Sequence, residues 1–247
     1  MSLVDEYKKQ YAWRDWTSAI RHCPASPGQR VLDLGCGPGD VAADLSHLGL
    51  LVTGIDKNAE LLAAAKQLCP QCTFEQQDLR NLDLPRESFD GLWCSFTAAY
   101  FTDFRKTFSG WTRFLKKKAW VCIIDIDDLL GHEPLSVETR RMILEFYRDA
   151  VQARRYDFET GRKIGGILEE LGFSVTTIDL NDKELAFTGP ASPEVKQAWE
   201  DRFDRMDRLQ SFLGERFTSF KEEFLQSISS YNHVSRCRVV CCVGTRG

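Results

Sequence analysis

The chain has 247 residues, with 32 basic against 36 acidic side chains, a net charge of −4 and 43% apolar residues. That length suits one well-buried domain, and the acidic balance argues against nucleic acid as a partner, since phosphate backbones call for a basic surface. No apolar run approaches the ~20 residues that span a bilayer, and Met1 to Trp16 is charged and aromatic, unlike a secretory leader, so a cytoplasmic protein without a membrane partner is expected.

Residues 5–22 read as one aromatic-rich helix carrying Tyr7, Tyr11, Trp13 and Trp16, ended by Pro24 and Pro27-Gly28. Val31 to Leu34 is a short apolar strand running into glycines. Asp40 to His47 is helical, Leu51 to Ile55 is a second strand, and Asn58 caps a helix to Leu68. Cys69-Pro70-Gln71-Cys72 has the spacing of a redox pair, but a plain boundary between helix and strand is the preferred reading. Most of the nine cysteines, including Cys94, Cys122, Cys241 and Cys242, sit in apolar runs, which fits a reducing compartment better than a disulfide framework. Strands follow at Thr73 to Gln76, Phe89 to Phe96, Ala119 to Ile126, Phe173 to Leu180 and Arg238 to Thr245. Helices span Thr102 to Leu115 and Thr160 to Leu171, the latter closed by Gly172.

Alternating strands and helices predict an α/β fold, a doubly wound, mostly parallel seven-stranded sheet with helical insertions. Between the last two strands, apolar residues from Trp199 to Leu213 and from Phe217 to Ile228 recur at spacings of three and four, giving two amphipathic helices. The charged run Asp201 to Arg208 reads as their solvated face. The expected units are an N-terminal cap (1–28), a cofactor-binding core (29–181 and 232–247) and a substrate lid (182–231).

The informative stretch is Val31-Leu-Asp-Leu-Gly-Cys-Gly-Pro-Gly-Asp40. Glycines directly after a buried strand let a ligand approach bare backbone, and the next helix offers free N–H groups. Asp56 closes the second strand, 21 residues after Gly35, where an acid accepts hydrogen bonds from ribose hydroxyls. The third glycine comes one residue too early for the dinucleotide pattern, whose last glycine is here Asp40. Asp33 and Asp40 would repel a pyrophosphate and suit an ammonium group. A nucleoside carrying an amino acid, as in S-adenosylmethionine, satisfies both, and an NAD-dependent oxidoreductase does not.

Residues 30–127 resemble the class I S-adenosylmethionine-dependent methyltransferases, particularly those acting on small molecules. Val31 to Asp40 is similar to their first motif, Gly54-Ile55-Asp56 to the second, Gln77-Asp78-Leu79 to the third, Phe89 to Phe96 to the fourth strand and Trp111 to Ala119 to the lead into the fifth. Leu115-Lys-Lys-Lys-Ala119 departs from the usual Leu-Lys-Pro-Gly-Gly turn. The resemblance implies a Rossmann-like sheet, S-adenosylmethionine as cofactor and S-adenosylhomocysteine as product. It implies that Asp56 holds the ribose and Asp78 contacts the adenine amino group, and Asp33, Gly35, Cys36, Gly37, Lys57, Gln77, Leu79, Ser95 and Phe96 are expected to line the cofactor site with them. Tyr11, Trp16 and Tyr100 are expected to complete the cofactor site.

Methyl transfer asks the enzyme to align nucleophile, methyl and sulfur, to exclude water, and at most to take a proton. The expected acceptor is a small molecule methylated on O or N. His132 is the first candidate base because its ordinary pKa lies near neutrality. Asp128 is a second choice, and Tyr100 would orient the acceptor. No metal is expected, because Asp127 and Asp128 lack a third acidic partner. A monomer or homodimer is expected. Methylation of a nucleic acid or protein, or a non-catalytic cofactor-binding subunit, is the alternative.

Overall fold

Short apolar strands alternating with amphipathic helices bury both sheet faces when the crossovers alternate sides. The computed structural model, which describes residues 3–246, has this architecture. The chain opens with α1 (Leu3–Ala12) and α2 (Trp16–His22). The single helix expected over 5–22 is broken, because Asp15 accepts a hydrogen bond from the Ser18 N–H and caps α2. Next come β1 (Arg30–Leu34), α3 (Asp40–His47), β2 (Leu51–Asp56), α4 (Ala59–Leu68), β3 (Thr73–Gln76), β4 (Phe89–Ser95), α5 (Phe104–Trp111) and β5 (Leu115–Asp127). Asn58 caps α4 as expected, accepting from the Glu60 and Leu61 N–H groups.

Beyond β5 lie a two-residue strand β6 (His132–Glu133) and α6 (Val137–Gln152), a 16-residue helix absent from the sequence reading. Then follow α7 (Thr160–Glu170) and β7 (Phe173–Leu180). The insertion contains three helices rather than two: α8 (Pro193–Arg205), α9 (Asp207–Leu213) and α10 (Phe217–Ile228). Met206 and Gly214 leave helical geometry and divide them. A short β8 (Val234–Ser235) pairs with β6, and β9 (Arg238–Arg246) closes the sheet.

The sheet order is β3-β2-β1-β4-β5-β9-β7. The first five run parallel, and β9 lies between β5 and β7, antiparallel to both. β5 starts earlier than expected. Leu115 pairs with Phe89, the register then shifts, and Lys118 has φ +65°. An irregularity inside a continuous strand thus stands at the Lys116–Lys118 departure from the resembled turn.

Side chains alternate across the sheet. Val31, Trp93, Trp120, Cys122 and Ile124 face α2, α3, α4 and the insertion. Leu32, Leu34, Leu92, Val121 and Ile123 face α5 and α7. Trp199, Phe203, Phe220 and Phe224 of the insertion are at most 1% exposed and continue the first of these layers. Cys69 and Cys72 mark the boundary between α4 and β3, and they are joined as a disulfide, a correction to the expectation of unpaired thiols. The other seven cysteines are free and buried. Among the described residues no helix is long and apolar enough to cross a membrane.

One backbone contact makes the sheet testable. A Cβ at Gly91 would fall 2.3 Å from the Trp120 ring, which is itself only 2% exposed. Gly91→Ala should therefore destabilise the fold by about 1–3 kcal/mol through overpacking, read as a lower denaturant midpoint. An unchanged midpoint would mean that Trp120 does not pack on β4 as described.

Candidate active site

Parallel strands deliver their carboxyl ends, and the loops after them, to one side of the sheet. The loop after β1 is held there by β2. The Gly35 and Cys36 N–H groups both donate to the Ile55 carbonyl. Asp56 completes the clasp: one carboxylate oxygen accepts from the Gly37 N–H at 3.0 Å and the other from the Asn58 N–H at 2.9 Å. Each oxygen keeps a second lone pair for a ligand hydroxyl. Gly35, Gly37 and Gly39 all have positive φ. A Cβ at Gly35 would strike Thr97 Oγ1 at 2.2 Å, so the loops after β1 and β4 touch, whereas at Gly37 it would meet only the Tyr7 ring at 3.5 Å.

Asp33 is 1% exposed and its Oδ2 is buried without a hydrogen-bond partner. Burial first, and the charge of Asp56 second, push its carboxyl up to about 8. The site thus holds a neutral, unsatisfied acid beside an ionisable one that is already clasped. Cys36 is buried, with its thiol held far from ionisation by burial and by both acids. Gln77 donates its backbone N–H to the Asp56 carbonyl and bonds through its side chain to Glu75 and Asp83, which ties the loop after β3 to β2. Asp78 and Lys57 are exposed, with Asp78 accepting from the Arg80 N–H, and Leu79 is half-buried. Phe96 has φ +51° and donates its N–H to the Ile124 carbonyl, so the loop after β4 turns sharply over β5. Ser95 accepts from Thr97 Oγ1 at 3.0 Å.

Tyr7, which sequence reading noted only as one of several helix aromatics, lies over Gly37. Burial and the neighbouring Tyr100, Asp56 and Glu6 push its hydroxyl up to about 12. Its spacing of four from Tyr11 was the available signal. Tyr11 and Trp16 are placed differently from expectation. The Tyr11 hydroxyl bonds to Asp44, and its ring stacks on Trp16 at 5.5 Å. Trp16 is 7% exposed, packs on Trp93 and Phe96, and donates its indole N–H to the Tyr11 carbonyl. These two anchor the N-terminal segment rather than presenting free polar groups.

The candidate base His132 requires correction. It is 1% exposed, with the Trp199 and Phe224 rings 5.0 and 5.1 Å away. Its Nδ1 lies 2.9 Å from His233 Nε2, and His233 Nδ1 lies 2.9 Å from the Gly189 carbonyl. Only one proton pattern satisfies this chain: His233 Nδ1–H donates to Gly189, His132 Nδ1–H donates to His233, and His132 Nε2 is bare. Burial, then His233 and Arg202, lower the His132 pKa to about 3, too low for a base at neutral pH. Asp128 is corrected as well. It accepts from the Tyr147 hydroxyl at 3.2 Å and lines a cleft of about 540 Å³ with Asp127, Glu159, Arg162, Arg236 and Arg238, apart from the loops after β1 and β4. Tyr100 is exposed, with its ring 5.0 Å from that of Tyr156. Asp125, passed over in the sequence, is fully buried under the loop after β4 and accepts from the Ala99 N–H at 2.9 Å.

The histidine pair gives the fold a pH dependence. A histidine pKa depressed in the folded state leaves stability whole above about 6.5, its ordinary value, and removes it as pH falls, because the unfolded chain takes up protons that the folded one refuses. Asp33, protonated in the fold, works in the opposite sense over the same range, so the histidine contribution is read as a difference: from pH 6.5 to 5 the wild type should lose stability relative to His132→Gln. An equal slope in the variant would place the titration elsewhere.

Comparison with known proteins agrees with the geometry. Residues 31–118 match the family described as methyltransferase domain. The trans-aconitate 2-methyltransferase of Escherichia fergusonii is 30% identical over 51% of this chain and 50% of its own length. An uncharacterised methyltransferase of Synechocystis is 33% identical over 63% of this chain and 72% of its own. Phosphoethanolamine N-methyltransferase 2 of Haemonchus contortus, solved with phosphomonomethylethanolamine and S-adenosylhomocysteine, superposes with a TM-score of 0.60 over 98% of this chain and 56% of its own, at 22% identity, and so shows the fold alone. The chain spans about half the length of the first two curated relatives it matches. On the glycine loop clasped by Asp56, the seven-stranded order and this kinship, the chain belongs to the class I S-adenosylmethionine-dependent methyltransferases.

Proposed function

We propose that this chain binds S-adenosylmethionine at the loop after β1 and transfers its methyl group to an oxygen or nitrogen of a small-molecule acceptor. The observation that carries the reading is Asp33: a fully buried acid with an unpartnered oxygen beside bare glycines, a place made for an ammonium group. The cofactor supplies a methyl already activated by the sulfonium. Asp56, fixed by two backbone amides, takes the ribose hydroxyls, with Lys57 beside it. Gln77, Asp78 and Leu79 border the adenine, and Ser95 and Phe96 wall the methyl. Tyr7 covers the glycine loop and excludes water, and Tyr100 orients the acceptor. The kinship with trans-aconitate 2-methyltransferase, over half of that protein, supports a small acceptor.

The lid is part of the same proposal. Residues 182–231 meet the N-terminal segment through Arg14–Asp182 and Arg205–Glu6 ion pairs and through the Lys183 N–H on the Trp13 carbonyl. Together they roof the mouth. Because Trp199 and Phe203 belong to the main core, the lid is tested by point variants rather than by excision.

Asp56→Ala should weaken S-adenosylhomocysteine binding by about 1.5–3 kcal/mol, the scale of a hydrogen bond to a charged group. Gly37→Val should abolish it, since a branched side chain at φ +53° meets Tyr7. Unchanged calorimetric affinity in a folded variant removes the ribose and loop assignments.

A second test uses the proton on Asp33. Its raised pKa leaves it neutral at pH 7, and an ammonium beside it favours the carboxylate, so binding should release a proton. Calorimetry in buffers of different ionisation enthalpy should show release at pH 7 that Asp33→Asn removes. Binding without proton release would separate the ammonium from Asp33.

A further inference from the structure

One set of charges at the mouth has no role in holding the cofactor. Arg14, in the break between α1 and α2, has a side chain only 9% exposed. Its Nε donates to Asp182 at 2.8 Å, and its guanidinium sits 4.0 Å above the Phe96 ring, on the loop after β4. Arg202 reaches Glu184 with one terminal nitrogen and lies 5.1 Å over the Trp199 ring. The two ion pairs share one frame, because the Glu184 and Leu185 N–H groups both donate to Asp182 Oδ1 at 2.9 Å. Two carboxylates therefore neutralise two guanidiniums and fix one edge of each.

The other edges are free. Among the described residues the terminal nitrogens of Arg14 and the second terminal nitrogen of Arg202 have no hydrogen-bond partner, nor do the hydroxyls of Tyr100 and Tyr156, while Arg202 Nε is enclosed without a partner. Against these donors stands one free acceptor in the cluster, Glu184 Oε2. Burial raises the Tyr156 hydroxyl, and Arg202 is near enough to oppose the rise, while Arg14 acts in the same sense on Tyr7. The arginines thus flank the mouth between the glycine loop and α8. A guanidinium fork anchored on one edge and open on the other is pre-oriented for an oxyanion.

We propose that the acceptor is an organic anion whose carboxylate or phosphate oxygens are held by Arg14 and Arg202, so that the break between α1 and α2 and helix α8 together set acceptor specificity. This rests on the methyl-transfer reading of the site. The shared chemistry is a negatively charged oxygen group tied to a methylatable oxygen or nitrogen.

The test is calorimetry on the full chain saturated with S-adenosylhomocysteine, with citrate as carboxylate probe and glycerol 3-phosphate as phosphate probe. At least one should bind. Removing Arg202 alone strands Glu184 as a buried charge, so the variant is the double Arg202→Met, Glu184→Gln, with S-adenosylhomocysteine affinity as its check on folding. The double variant should lose more than tenfold in probe affinity. Citrate binding alone assigns a carboxylate acceptor, and glycerol 3-phosphate binding alone a phosphate monoester. If neither binds the loaded wild type, or if the double variant binds as tightly, the inference fails while the cofactor assignment stands. If S-adenosylhomocysteine does not bind the wild type, the methyl-transfer reading fails and the inference with it.

Discussion

The site depends on the clasp that Asp56 makes on the glycine loop. A run of glycines after a strand has no conformation of its own. Here two N–H groups on the Ile55 carbonyl and one on the Asp56 carboxylate fix it to the neighbouring strand. The same carboxylate also steadies the approach to α4 through Asn58. One side chain therefore sets the shape of the glycine loop and the start of the next helix. A rigid parallel sheet beneath it lets the loops after β3 and β4 be placed against the same point.

Around that clasp the molecule keeps polar groups in apolar surroundings. Asp33 and Asp125 are buried at the strand ends. Asp125 is answered by backbone N–H groups, which limit the rise that burial imposes on it. Asp33 Oδ2 has no such answer among the described residues. A buried unsatisfied group costs stability, so Asp33 weighs against the fold where Asp125 does not.

Much of this was legible because it is local. The strand, the glycines and Asp56 lie within about one βαβ unit, and the Asn58 cap and the Gly172 stop act within a few residues. The α6 pattern was also present, with Thr139, Met142, Ile143, Phe146, Tyr147 and Ala150 buried at helical spacing, yet it went unread beside the charged residues between them. What could not be read locally was the company a residue keeps. His132 looks like a base until α8 and α10 enclose it and His233 accepts the hydrogen bond from its Nδ1–H. Asp201 to Arg208 looks like a solvated helix face, but Arg202 turns inward to Glu184, Arg205 reaches Glu6 of α1 and Asp204 reaches Lys221. Charge patterning along a helix does not reveal partners that lie far away in the chain.

The place of β9 has a consequence for synthesis. This strand follows the insertion in the chain, yet it lies inside the sheet, between β5 and β7. As the chain leaves the ribosome from its N-terminus, β5 keeps an open edge and β7 has no neighbour in the sheet until residues 238–246 emerge. The first five strands can pair and the cofactor cradle can take shape while the insertion is still being made. The insertion cannot be seated on a finished sheet, because its own downstream strand completes that sheet. The glycine loop and its Asp56 clasp are thus built from residues made before the insertion and β9.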